Sequence, residues 1–157
     1  MHNMANIGYY DIVSENGRPK LKTVNILWAR SNRFEIGNCI QILNHSFWLN
    51  RQPLEHVYLL SCDNRDRING ILDVASGTEN HAEISKRKVV SFLVLSGAKR
   101  FIIVHNHPNN AMYPSNDDVT SAIIMMALAG IMDMSFDGSY IVGATHYLKV
   151  EMPFCVA

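Results

Sequence analysis

Four apolar residues in a row, Phe101-Ile102-Ile103-Val104, run directly into His105-Asn106-His107. A short continuous apolar run, rich in β-branched residues and without polar alternation, marks a buried central strand. Such a strand must be covered, and helices are the covering layer this sequence offers. Ile36, Ile40, Leu43 and Phe47 recur at helical spacing and predict a helix over roughly Phe34–Leu49. A second helix is expected from about Lys86 to Leu95, ended by Ser96-Gly97. A third opens at Ser115 and runs through Met126 to about Ala129, where Gly130 stops it. Its run Ile123–Leu128 is apolar nearly all round, which predicts a largely buried helix.

The remaining strand signals come in pairs. Ile7–Val13 and Leu21–Trp28 flank the turn residues Ser14–Pro19, and His56–Ser61 and Ile68–Ala75 flank Asp63–Arg67. Ser139–Val142 and His146–Val150 close the chain. Adjacent strands outnumber what a doubly wound fold gives, so the class is α/β with a mixed sheet flanked by helices. The 157 residues allow one domain with a small appendage: a β-rich N-terminal extension over 1–32 and the domain proper over 33–157. Trp28 and Trp48 are expected to pack that extension onto the body.

Charge and cysteine content narrow the function. Fourteen basic residues cancel fourteen acidic ones, so nothing in the overall charge supports a grip on nucleic-acid phosphates. No apolar stretch reaches 18 residues, and the N-terminus lacks the layout of a signal peptide. Cys39, Cys62 and Cys155 form no C-x-x-C pair, which suggests reduced thiols and a cytoplasmic location.

The chemistry gathers around the histidines. In extended backbone, side chains at i and i+2 point the same way, so His105 and His107 can converge on one point. The polar loop to which they belong, His105 to Pro114, has two prolines and three asparagines, and then Ser115 and Asp118 open the third helix. If that helix starts beside the strand end, Asp118 faces the same point. Two imidazoles and a carboxylate suit zinc, with the fourth position left for a water whose pKa falls to about 7. Ser115 would lie within reach of that water, and a general base would still be needed. Taken alone, Ser115-x-x-Asp118 reads as a helix capping box. The combined pattern H-x-H-x7-S-x2-D arises by chance in a chain of this composition on the order of once in a thousand. H-E-x-x-H is absent, and so are the H-x-E and P-C-x-x-C elements of zinc deaminases.

The run from Phe101 to Pro108, with Pro114-Ser115 and Asp118, resembles the RadC family of JAB/MPN (JAMM) domains. Flanking text resembles it too: Leu54–Leu60 its Glu-led strand, Asp63-Asn64-Arg65 the turn after it, Ser76-Gly77-Thr78 a short loop, and Arg87 with Val89 a helix start. The likeness covers roughly residues 50 to 148. It implies a JAB/MPN fold, related in architecture to the cytidine deaminases, and a zinc metallopeptidase or isopeptidase acting on peptides or protein conjugates. Carried over by position, His105, His107 and Asp118 would hold Zn2+, Glu55 would be the general acid/base, and Ser115 would steady the tetrahedral intermediate. Spacing alone does not select Glu55 over Glu79 or Glu83. Two other roles stay open: a non-catalytic interaction module, and a DNA-repair accessory as the family name suggests. The sequence departs from the family in having Asn109-Asn110 where Ser-Gly is usual, Asp137-Gly138-Ser139 without a following histidine, and Ser85-Lys86 in place of His-Pro. The helix-hairpin-helix segment of full-length members is not in the sequence, which removes the simplest reason to expect DNA binding.

Overall fold

A computed structural model describes residues 3–76 and 83–153. The Gly77-Thr78 part of the family-like loop, Glu79, His81 and Cys155 lie outside the described residues. In chain order the elements are β1 (Ala5–Glu15), β2 (Arg18–Ala29), α1 (Ile36–Phe47), a 3₁₀ turn (Leu49–Arg51), β3 (His56–Cys62), β4 (Ile68–Ser76), α2 (Lys86–Ser96), β5 (Arg100–Asn106), α3 (Asn116–Ile131), β6 (Ser135–Val142) and β7 (Tyr147–Lys149). The strands form one seven-stranded sheet in the order β2-β1-β4-β3-β5-β6-β7. β1 runs parallel to β4 and β5 parallel to β6, and the other neighbours are antiparallel. The expected mixed α/β sheet is what the chain forms.

β5 is buried along both faces, as its sequence requires. Ile102 and Val104 enter one core with Cys39, Ile40, Ile42 and Leu43 of α1. Phe101 and Ile103 enter the other with Val89, Phe92 and Leu93 of α2 and Met125 and Ala129 of α3. One helix thus covers one face and two cover the other, in the strand alternation of period two. The N-terminal hairpin turns at Asn16-Gly17, both at positive φ, the pairing favoured by tight hairpins. It continues the same sheet through Tyr9 and Tyr10 beside Ile71 and Leu72, and Ile7 and Leu27 join the α1 core.

Four expectations need correction. Gly130 does not stop α3, which continues to Ile131; the left-handed residue that closes its end is Asp133, at φ 54°. Nor is α3 largely buried. Ala122, Met125 and Ala129 are its buried residues, whereas Ile123 and Met126 are exposed and Ile131 is 80% exposed. A helix lying on one face of a sheet has only one side to bury, whatever the hydrophobicity of its others. Trp28 and Trp48 are both exposed, so the hairpin is joined to the body by backbone pairing and by Ile7 and Leu27. β6 also begins four residues before the apolar signal at Ser139, because its polar start pairs in parallel with Arg100 and Phe101.

Two predictions follow from packing. A Cβ at Gly70 of β4 would stand 2.8 Å from Cζ of the fully buried Phe92 and 3.1 Å from Cε2 of Tyr10. Gly70→Ala should therefore lower the unfolding free energy in urea by about 1–3 kcal/mol, and an unchanged midpoint would show that the Phe92 ring can move. Burial, reinforced by the neighbouring Cys62, pushes the Cys39 thiol up to about 12, and burial raises Cys62 as well. At pH 8 only about one Cys39 in ten thousand is then thiolate. Brief iodoacetamide treatment followed by peptide mapping should leave both cysteines unlabelled until denaturant is added.

Candidate metal centre

His105 occupies the end of β5 and His107 follows it, both turned toward the face covered by α3, with ring centroids 5.0 Å apart. The loop after them folds back tightly. Asn110 N–H donates to the His107 carbonyl, Asn109 Oδ1 accepts from Ala111 N–H, and Asn110 takes a left-handed φ of 56°. Asparagine tolerates that conformation better than most residues. The return brings the Ala111 carbonyl to 2.7 Å from His107 Nδ1. A carbonyl can only accept, so Nδ1 carries the proton and Nε2 presents its lone pair to the site.

α3 supplies the carboxylate from its first turn. Ser115 is the N-cap: its Oγ accepts from Asp118 N–H at 3.1 Å, and Asp118 Oδ2 accepts from Ser115 N–H at 2.8 Å. The capping box read from the sequence is present, and it orients Asp118. The same Oδ2 lies 3.0 Å from His107 Nε2, and Oδ1 lies 3.1 Å from His105 Nε2. His105 Nε2 is buried, and although close to Oδ1 it is not aligned for a hydrogen bond and has no such partner. Burial pushes the Asp118 carboxyl up, but the two imidazoles and the Ser115 amide outweigh it and hold the group well below the usual range. His107 is shifted upward, chiefly by its contact with Asp118 and against the effect of burial.

This geometry fits a cation. With the proton of His107 on Nδ1, its Nε2 lone pair and Asp118 Oδ2 are both acceptors, so their 3.0 Å contact calls for positive charge, either a further proton or a metal ion. Glu55, immediately before β3, completes the group. One ligand atom from each of Glu55, His105, His107 and Asp118 lies within 4.8 Å of the others. Glu55 is 8% exposed and His105 4%. These atoms lie at the base of a cleft of about 190 Å³ that Val57, Ile84, Tyr113, Ser115 and Ser139 also line. Two nitrogens and carboxylate oxygens at these positions can hold a divalent metal ion.

Comparison with known proteins agrees with that reading of the fold. Residues 36–152 match the family model described as RadC-like JAB domain. The chain belongs to this family. It is similar to UPF0758 proteins of Finegoldia magna (35% identical over 85 residues, 54% of this chain and 32% of that protein) and Chlorobium luteolum (26% over 95 residues, 60% and 43%). A UPF0758 protein of Latilactobacillus sakei is 29% identical over 101 residues, 64% of this chain and 44% of that protein. The chain spans less than half the length of each of these relatives. The family match reaches back to α1, upstream of the segment from 50 to 148 where the motifs lie.

All five residues singled out in the sequence of this RadC-like domain border one cleft, and four of them meet as possible ligands. Sequence reasoning passed over Ser139, a buried polar residue in a strand, and Asn106, whose 2% exposure is unusual for an asparagine. A polar residue inside an apolar strand is the signal that marks both. His107→Ala should weaken metal binding by more than the roughly 10–100-fold that accompanies loss of an outer-sphere partner. Equilibrium dialysis with metal quantification checks this, and unchanged affinity would remove His107 from the ligand set.

Proposed function

We propose that this RadC-like domain is a zinc-dependent hydrolase of amide bonds, a peptidase or isopeptidase of the JAMM type. The observation that carries the reading is the meeting of Glu55 with His105, His107 and Asp118 within 4.8 Å at the base of an open cleft. His105, His107 and Asp118 would hold the metal. Two nitrogens and one oxygen from three residues match the open-sided donor sets of catalytic zinc. When bound, zinc supplies an acidified water and a Lewis acid for a carbonyl oxygen.

The remaining work falls to the chain's own residues. Glu55, in a largely dry position, takes a proton from the attacking water and returns it to the departing amine. The Ser115 Oγ lone pair is engaged by Asp118 N–H, which leaves its proton as a donor toward an oxyanion in the cleft. The positive end of α3 points the same way and favours developing negative charge. Val57, Ile84 and Ile103 give the cleft an apolar side, against which an extended peptide segment can exclude water. None of the helices among the described residues is long and apolar enough to cross a membrane, and the substrates suited to the cleft are peptides or protein conjugates.

Hydrolysis of a tagged peptide library should be stopped by a chelator and restored by zinc. Glu55→Gln should reduce turnover by about 10²–10⁴-fold and leave zinc bound. Loss of zinc in that variant would make Glu55 a ligand instead. A zinc-loaded wild type that cleaves no amide would favour an interaction module on the same scaffold. Binding to DNA that weakens steeply with salt would favour the repair role. X-ray absorption at the zinc edge of protein purified without added metal identifies the ion.

A further inference from the structure

The backbone ladder between β3 and β5 ends at the pair Val57–His105. Glu55 lies beyond it, in irregular backbone between the 3₁₀ turn and β3. The side chain of Asn106 ties that segment to β5. Its Oδ1 accepts from His56 N–H at 2.8 Å, and its Nδ2 donates to the carbonyls of Leu54 at 3.1 Å and Gln52 at 3.3 Å. Successive strand side chains point to opposite faces, so Asn106 turns away from the side where His105 and His107 face α3. The residue between the two histidines is thereby bonded to the backbone on both sides of Glu55.

We infer that Asn106 is a positioning residue that clamps the Glu55 segment at a fixed distance from His105, His107 and Asp118; its part in turnover rests on the hydrolase reading above. A primary amide suits the task because it offers an acceptor and two donors on one rigid plane, and all three partners here need one or the other. An aspartate at this place keeps the acceptor but sets a carboxylate against two carbonyls. An alanine leaves three backbone groups without that partner in a dry position. Because the clamp touches neither the cleft nor the candidate ligand atoms, its loss should free Glu55 without emptying the metal site.

Hydrogen exchange by NMR, zinc dialysis and kinetics on the whole chain separate these effects. In Asn106→Ala the His56 amide should exchange at least about tenfold faster, while amides in the middle of β3 and β5 keep their wild-type rates. Zinc affinity should stay within about threefold of wild type, since no ligand has changed. Turnover should fall by about 30-fold or more in kcat with KM within about twofold, as expected when an interaction expressed in the transition state is lost. Asn106→Leu has nearly the same shape and removes the acceptor and both donors, so it should repeat the faster His56 exchange and the loss in kcat with zinc retained, and it decides the matter if the alanine variant does not fold. Wild-type exchange at His56, or loss of zinc, would overturn the clamp. Equal acceleration of exchange throughout both strands would also overturn it, because Asn106 would then be holding the fold rather than Glu55. A wild type without hydrolytic activity would defeat the hydrolase reading, and the clamp would still stand or fall on the exchange and zinc measurements.

Discussion

Along β5 the side chains alternate between two dry cores, Ile102 and Val104 facing α1, Phe101 and Ile103 facing α2 and α3. Burial on both faces leaves this strand little freedom of position or register, because a slip of one residue would exchange the two cores and bring the polar end inward. The histidines inherit that rigidity. His105 is still inside the strand, paired with Val57 on one side and Ile141 on the other, so its imidazole is aimed by two backbone ladders. Metal ligands placed on such an element are held more closely than ligands on a free loop.

The carboxylate of Asp118 joins the helical layer to this strand. It closes the α3 cap through Ser115 and faces both imidazoles, so one side chain sets the start of the helix and the depth of the site. A buried carboxylate is costly unless compensated. Here compensation comes from the Ser115 amide and from both imidazoles, although His105 Nε2 is not aligned for a hydrogen bond. The capping and metal-ligand roles of Ser115-x-x-Asp118 are therefore compatible. The cap fixes the carboxylate rotamer and the lone pairs left over face the imidazoles.

The same region shows how far local sequence can mislead. Ile123 and Met126 read as core because they are apolar, yet they lie on the outer side of α3, where no further layer covers them among the described residues. Trp28 and Trp48 read as anchors and are exposed for the same reason: hydrophobicity registers a preference for burial but not whether a neighbour exists. Asn106 shows the converse, a polar side chain whose burial depends on partners distant in the chain. The Asn106 partners lie about fifty residues upstream, beyond the reach of any local pattern.

The sequence by itself determined the buried strand, the positions of its covering helices and the H-x-H pair with its downstream Ser-x-x-Asp, because period, capping chemistry and apolar continuity act over a few residues. It also pointed to Glu55, though only through likeness to a family. Tertiary structure decided that a carboxylate from the approach to β3 stands beside possible ligands from β5 and α3. It also decided which lone pairs are left facing the cleft, and it placed β1 and β2 in the same sheet as the site-bearing strands. Those outcomes depend on strand order and on hydrogen bonds between segments far apart in the chain, and neither is encoded in the neighbourhood of any one residue.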